Sequence, residues 1–93
     1  MITIHKYAIQ PGKFALELPA GADILHVNTQ YDEPFMWVKV DTSQPPVERV
    51  FKVFGKGHEL TDDGCWEHVG TFLMNGGSLV RHLFEHEDGT LPF

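Results

Sequence analysis

The sequence predicts an all-β domain: a small antiparallel sandwich or partly open barrel of about six to seven short strands. Three observations carry that expectation. Turn-forming residues recur at Pro11-Gly12, Pro19-Ala20-Gly21, Asp32-Glu33-Pro34, Gln44-Pro45-Pro46, Gly55-Lys56-Gly57, Asp62-Asp63-Gly64 and Asn75-Gly76-Gly77. Between them lie short runs rich in Val, Ile, Phe, Thr and Trp, the rhythm of strands and turns in sandwiches and barrels. Within several runs, apolar and polar residues alternate with the period of two that a half-buried strand requires.

The elements follow in order. Residues 2–9 set Ile2, Ile4, Lys6 and Ala8 against Thr3, His5, Tyr7 and Ile9. Phe14, Leu16 and Leu18 alternate with Ala15 and Glu17, so one face is buried and the other wet. Residues 23–30 put Leu25, Val27 and Thr29 on one face and Ile24, His26, Asn28 and Gln30 on the other. In residues 35–41, Met36, Val38 and Val40 oppose Phe35, Trp37 and Lys39, so 23–41 reads as a hairpin turning about Asp32 and Glu33. Residues 47–54 and 66–75 supply two more strands, and Asn75-Gly76-Gly77 supplies the positive-φ positions of a tight turn. Residues 78–86 admit two readings. As a strand they close the hairpin that the turn announces; as a short C-terminal helix they use Ser78 as N-cap and set Leu79, Val80, Leu83 and Phe84 at helical spacing. Residues 1–86 thus form a single β domain, and 87–93 a loosely held acidic tail.

Composition bounds the function. Ninety-three residues make one domain, and 42% apolar with 12% aromatic residues excludes an intrinsically disordered chain. The formal net charge is −6, and Lys6, Lys13, Lys39, Arg49, Lys52, Lys56 and Arg81 are scattered rather than aligned. Neutralising a phosphate backbone needs a basic stripe, so general nucleic-acid binding is not expected. Cys65 is the only cysteine, which precludes an intrachain disulfide and fits a reducing compartment. The N-terminal residues carry His5 and Lys6 and no continuous apolar run, so neither a signal peptide nor a membrane span is expected. A cytoplasmic protein is the expectation.

Two groups of side chains merit scrutiny. Cys65, His68, His82 and His86 imitate the spacing of a zinc site. That reading requires residues 78–86 to be helical, because on a strand His82 and His86 would stand about 13 Å apart. Otherwise they are separate histidines and a buried thiol, and no cofactor is implied. The second group comes from strand phase. His5 and Tyr7 share one face, as do His26 with Gln30, while Trp37 and His82 each lie among apolar neighbours. Converging faces would make an aromatic and imidazole patch fit for a small polar ligand such as a nucleotide, with Tyr7 and Trp37 stacking on a base. The plainer account is core bulk and sheet-edge residues. Catalytic signatures are lacking: acidic neighbours would raise rather than lower the Cys65 pKa, and neither Ser43 nor Ser78 sits in a nucleophile elbow.

Several stretches resemble a known family: IHKY at residues 4–7, LELP at 16–19, ADILHVNTQ at 22–30, WVKVD at 37–41, ERVF at 48–51, GKGH at 55–58, VGTF at 69–72 and VRHLFE at 80–85. Together they are similar to small uncharacterised proteins of tailed phages and prophages, classed as a domain of unknown function. Lys56 departs from the threonine of the family pattern, and the chain adds acidic residues after Glu85. The resemblance implies an accessory protein; with no catalytic signature and with sheet edges open to pairing, the expectation is a non-enzymatic protein that binds a host protein or a second copy of itself. The alternative expectation is a small-ligand sequestering protein acting against host defence.

Overall fold

Seven antiparallel strands account for the secondary structure of residues 1–55 and 66–86, the part that this computed structural model describes. They are β1 (Ile2–Ala8), β2 (Lys13–Pro19), β3 (Asp23–Gln30), β4 (Glu33–Asp41), β5 (Pro46–Gly55), β6 (Trp66–Met74) and β7 (Leu79–His86). Three strands in the order β1-β4-β3 form one sheet, and four in the order β2-β5-β7-β6 form the other. The sheets do not close on one another, so the architecture is a sandwich and not a barrel. Residues 79–86 are a strand, paired with both β5 and β6. The helical alternative loses because pairing on both sides satisfies the strand's backbone groups and buries Leu83 completely.

The core lies between the sheets. From the three-stranded sheet come Val27 and the buried triplet Met36, Val38 and Val40; from the four-stranded sheet come Phe14, Leu18, Phe51, Phe72 and Leu83. Phe14 and Phe51 stack with ring centroids 5.4 Å apart, a direct cross-strand pair. A further cluster, Phe54 with Phe84 and Trp66, sits on the opposite face of the four-stranded sheet, where Phe54 is buried.

The turns follow backbone sterics. Tyr31 and Asp32 both adopt positive φ, at 51° and 63°, as the two central residues of a tight hairpin turn must. The turn therefore falls one residue earlier than the Asp32–Glu33 centre expected from sequence, and Gln30 pairs with Glu33 across it. At the β6–β7 turn, Asn75, Gly76 and Gly77 all take positive φ as expected.

One expectation of phase fails. Ile24 was grouped with His26, but it faces Val38 in the core, while His26 faces Trp37 on the outside. A bulge between Ile24 and His26 absorbs Leu25 and resets the alternation. A second bulge, between His68 and Gly70, does the same in β6.

The sheets approach most closely where β3 meets β6. A Cβ built on Gly70 would stand 2.8 Å from both Cβ and Cγ2 of Val27. Only a glycine lets the two backbones come this near. Gly70→Ala is expected to destabilise the fold by about 1–3 kcal/mol in urea denaturation. Adding Val27→Ala should cost less in that background than in wild type, because it removes Cγ2, one of the two close atoms that the new methyl meets. Additive effects would show that the contact is not what holds the sheets apart.

Candidate functional site

The outward phase of the three-stranded sheet collects one group of functional side chains. Register places Trp37 between Lys6 of β1 and His26 of β3, and Phe35 between Ala8 and Asn28. The His26 and Trp37 rings lie 5.8 Å apart, and Phe35 and Trp37 6.4 Å apart. Lys6 crosses the sheet: its Nζ sits 4.4 Å from the Phe35 ring centre and donates to Gln30 Oε1 at 3.1 Å. Ile2, Ile4 and Leu25 extend this face and are 69%, 56% and 49% exposed. Antiparallel sheets with one face on a core normally turn a polar face to water. Here the outer face mixes Phe35, Trp37 and exposed aliphatic side chains with Lys6, Lys39, Asp23 and Glu33.

The six residues grouped as one patch do not meet in one place. His26, Gln30 and Trp37 share the outer face. His5 and Tyr7 have the opposite phase: Tyr7 pairs with buried Met36 and packs on the core, and its hydroxyl lies 3.5 Å from His5 Nδ1. Tyr7 and Trp37 therefore cannot stack on one base. His82 belongs to the outer face of the four-stranded sheet, on the far side of the molecule. There Thr71 Oγ1 lies 3.0 Å from His68 Nε2 and 2.9 Å from His82 Nδ1. A hydroxyl has one proton and two lone pairs, so it donates to one imidazole and accepts from the other.

That cluster brings together two of the four residues grouped as a zinc site. Cys65 lies outside the described residues. His86 follows His82 by four strand positions and packs edge-on to Trp66, ring centroids 5.1 Å apart. Among the described residues, no three His, Cys, Asp or Glu side chains converge as a metal would require. Thr71, which joins His68 to His82, carries no sequence signal of its own. Only the register that pairs it with His82 reveals it.

Sequence reasoning also passes over the two open ends of the sandwich. At one end, Asp23, Arg49, His68 and Glu85 line a polar recess of about 280 Å³. Arg49 Nη2 donates to Glu85 Oε1 at 2.7 Å, Nε donates to Oε2, and Nη1 donates to the Ala22 carbonyl. The hydrogen bonds to Glu85 raise the Arg49 pKa against partial burial, and the charges of Glu85 and Asp23 add to the effect. At the other end, Ile9, Pro34, Val53, Phe72 and Met74 wall an apolar cleft of about 240 Å³, with Arg81 on its lining. The signal for both arginines is a charge in an apolar phase: Arg81 alternates in step with Leu83, and Arg49 with Phe51.

Near Ile2, Asp41 accepts hydrogen bonds from the Ser43 hydroxyl and backbone N–H, and its Oδ1 lies 3.4 Å from the Met1 ammonium. The Ser43 bonds, the side-chain one foremost, hold the Asp41 pKa below the usual aspartate value.

Two antiparallel sheets of three and four strands, not closed into a barrel, define a small all-β sandwich domain. Residues 1–91 match the family described as Domain of unknown function (DUF7352), and the chain belongs to that family. No curated protein and no solved structure matches it. Among the described residues, no helix is long and apolar enough to cross a membrane.

Two outcomes follow from the electrostatics. Breaking the bidentate pair with Arg49→Met leaves a half-buried carboxylate without its partner and should destabilise by about 1–3 kcal/mol in thermal unfolding. The double change with Glu85→Leu should recover part of that loss, whereas no recovery would argue against coupling. For Asp41, a lowered folded-state pKa stabilises the fold above the unfolded pKa, and this contribution is lost as pH falls through the folded pKa. Ser43→Ala should move the carboxyl midpoint upward in an NMR titration, and an unmoved midpoint would remove Ser43 as the cause.

Proposed function

We propose that this protein is a non-enzymatic protein-binding module whose recognition surface is the outer face of the three-stranded sheet together with the adjoining edge of β1. The observation that carries the reading is the exposed run of Ile2 and Ile4 beside the Phe35 and Trp37 rings, on a face that would otherwise be polar. Rings and aliphatic side chains of this kind supply most of the binding energy in protein interfaces.

The occupant this surface fits is a second copy of the chain. The protein is acidic overall, yet this face balances Lys6 and Lys39 against Asp23 and Glu33, with Lys39 directly opposite Asp23. A strongly charged partner would find no complementary field there. A two-fold copy meets its own mixture of signs. Antiparallel pairing of two β1 strands centred on Ile4 would set Ile4 against Ile4 and Ile2 of one copy against Lys6 of the other, so the lysines do not meet. The setting within this proposal is a phage or prophage accessory protein in the host cytoplasm, with a host protein as the further target. The similarity to the phage and prophage family supports that setting.

Sedimentation equilibrium at tens of micromolar protein tests the reading. The wild type should sediment as a dimer, and Ile4→Lys or Trp37→Ser should shift it to monomer with an unchanged circular dichroism spectrum. A monomeric wild type, or variants that dimerise undiminished, would overturn it.

A further inference from the structure

The geometry points to a binding site for a small carboxylic acid with a compact apolar body, in the cleft between the sheets where Arg81 stands. The site is separate from the outer sheet face and does not depend on the dimer.

The inference begins with the chain's two arginines, Arg49 and Arg81. Both project from the inner phase of the four-stranded sheet, one near each end of the sandwich: Arg49 in step with Phe51, Arg81 opposite Phe72 and Gly55. Arg49 is fully engaged by a bidentate carboxylate and a carbonyl. The environment of Arg81 differs. Its Nη1 donates to the Val80 carbonyl at 3.0 Å, and it meets no carboxylate among the described residues. In a chain of net charge −6, a half-buried guanidinium with no acidic partner among the described residues is the exception. A guanidinium presents its donors in a planar fork that matches a carboxylate in two parallel hydrogen bonds.

The walls define the rest of the ligand. Ile9, Pro34, Val53, Phe72 and Met74 come from four strands or their ends and give an apolar lining, with Gln10 as the other polar side chain. The volume of about 240 Å³ exceeds the roughly 150 Å³ that suffices for benzene and falls below the range of drug-sized pockets. It suits a phenyl or branched alkyl group with one carboxylate. A nucleotide is too large and too polar for it.

Phenylacetate is a suitable probe, followed through the methyl resonances of Ile9, Val53 and Met74. Saturable shifts of these signals are expected. Phenylacetamide, of the same shape but uncharged, should bind about tenfold more weakly, since it forfeits the charge-assisted pair. Acetate should leave the methyl signals unmoved, because it lacks the apolar body. Arg81→Gln should abolish the preference for acid over amide while leaving the remaining spectrum intact. Equal affinity for phenylacetate and phenylacetamide in the wild type would overturn the inference, whether or not the variant folds. So would the absence of any saturable shift at millimolar probe.

Discussion

The phase of β4 is the constraint on which the rest depends. As the central strand of its sheet, it hydrogen-bonds on both sides, and its inward residues Met36, Val38 and Val40 are almost wholly withdrawn from water. Slipping its register by one residue would exchange them for Phe35, Trp37 and Lys39 and place a lysine in the core. Because β1 and β3 both take their facing from β4, that one choice sends Tyr7 inward and Lys6, His26 and Gln30 outward. The aromatic outer face is thus the remainder of β4 after the core has taken its share.

The way the sheets meet decides where space is left. Along the β3–β6 seam the backbones nearly touch at Gly70 and Val27, and polar contacts reinforce the line: Thr29 Oγ1 donates to the Leu73 carbonyl, and the Asn75 N–H donates to Asp32. A seam that tight fixes the spacing of the layers but cannot seal the ends, where strands turn and side chains run out. At one end Arg49 and Glu85 line a polar recess as a satisfied ion pair. The other end is walled by apolar groups, and Arg81 stands beside a cavity with no carboxylate against it among the described residues.

Much of the fold was legible because alternation and turn chemistry are local. Phe14, Leu16 and Leu18 declare a strand unaided, and Asn75-Gly76-Gly77 declares a turn through backbone sterics. What alternation cannot declare is which phase faces inward, since that is settled by partners distant in sequence. His5-Tyr7 and Phe35-Trp37 look equivalent along the chain, yet they lie on opposite faces once β1 and β4 pair. The bulges were also invisible: Ile24 changes sides because Leu25 is extruded, and no residue type there announces it. His68 and His82 do meet, but by the cross-strand register through Thr71 and not by the helical spacing that first drew attention to the histidines.

The edges of the two sheets are unequally protected, and the inequality bears on how the molecule uses its surface. An exposed edge offers unpaired backbone groups to any extended chain, and proteins blunt it with charges, prolines or bulges. Strand β2 carries Lys13 and Glu17 and ends in Pro19, while β3 and β6 each carry a bulge. Strand β1 has neither a bulge nor a proline, and its one lysine does not guard the edge. Lys6 lies back over Phe35 to reach Gln30, so its charge is drawn inward and Ile2 and Ile4 are left flanking an open ladder. An edge stripped of its guard beside exposed apolar side chains is a poor arrangement for a solitary domain. For a strand that pairs with its own copy it is the economical one, because the same Lys6–Gln30 contact that bares the edge also draws the ammonium away from the incoming strand.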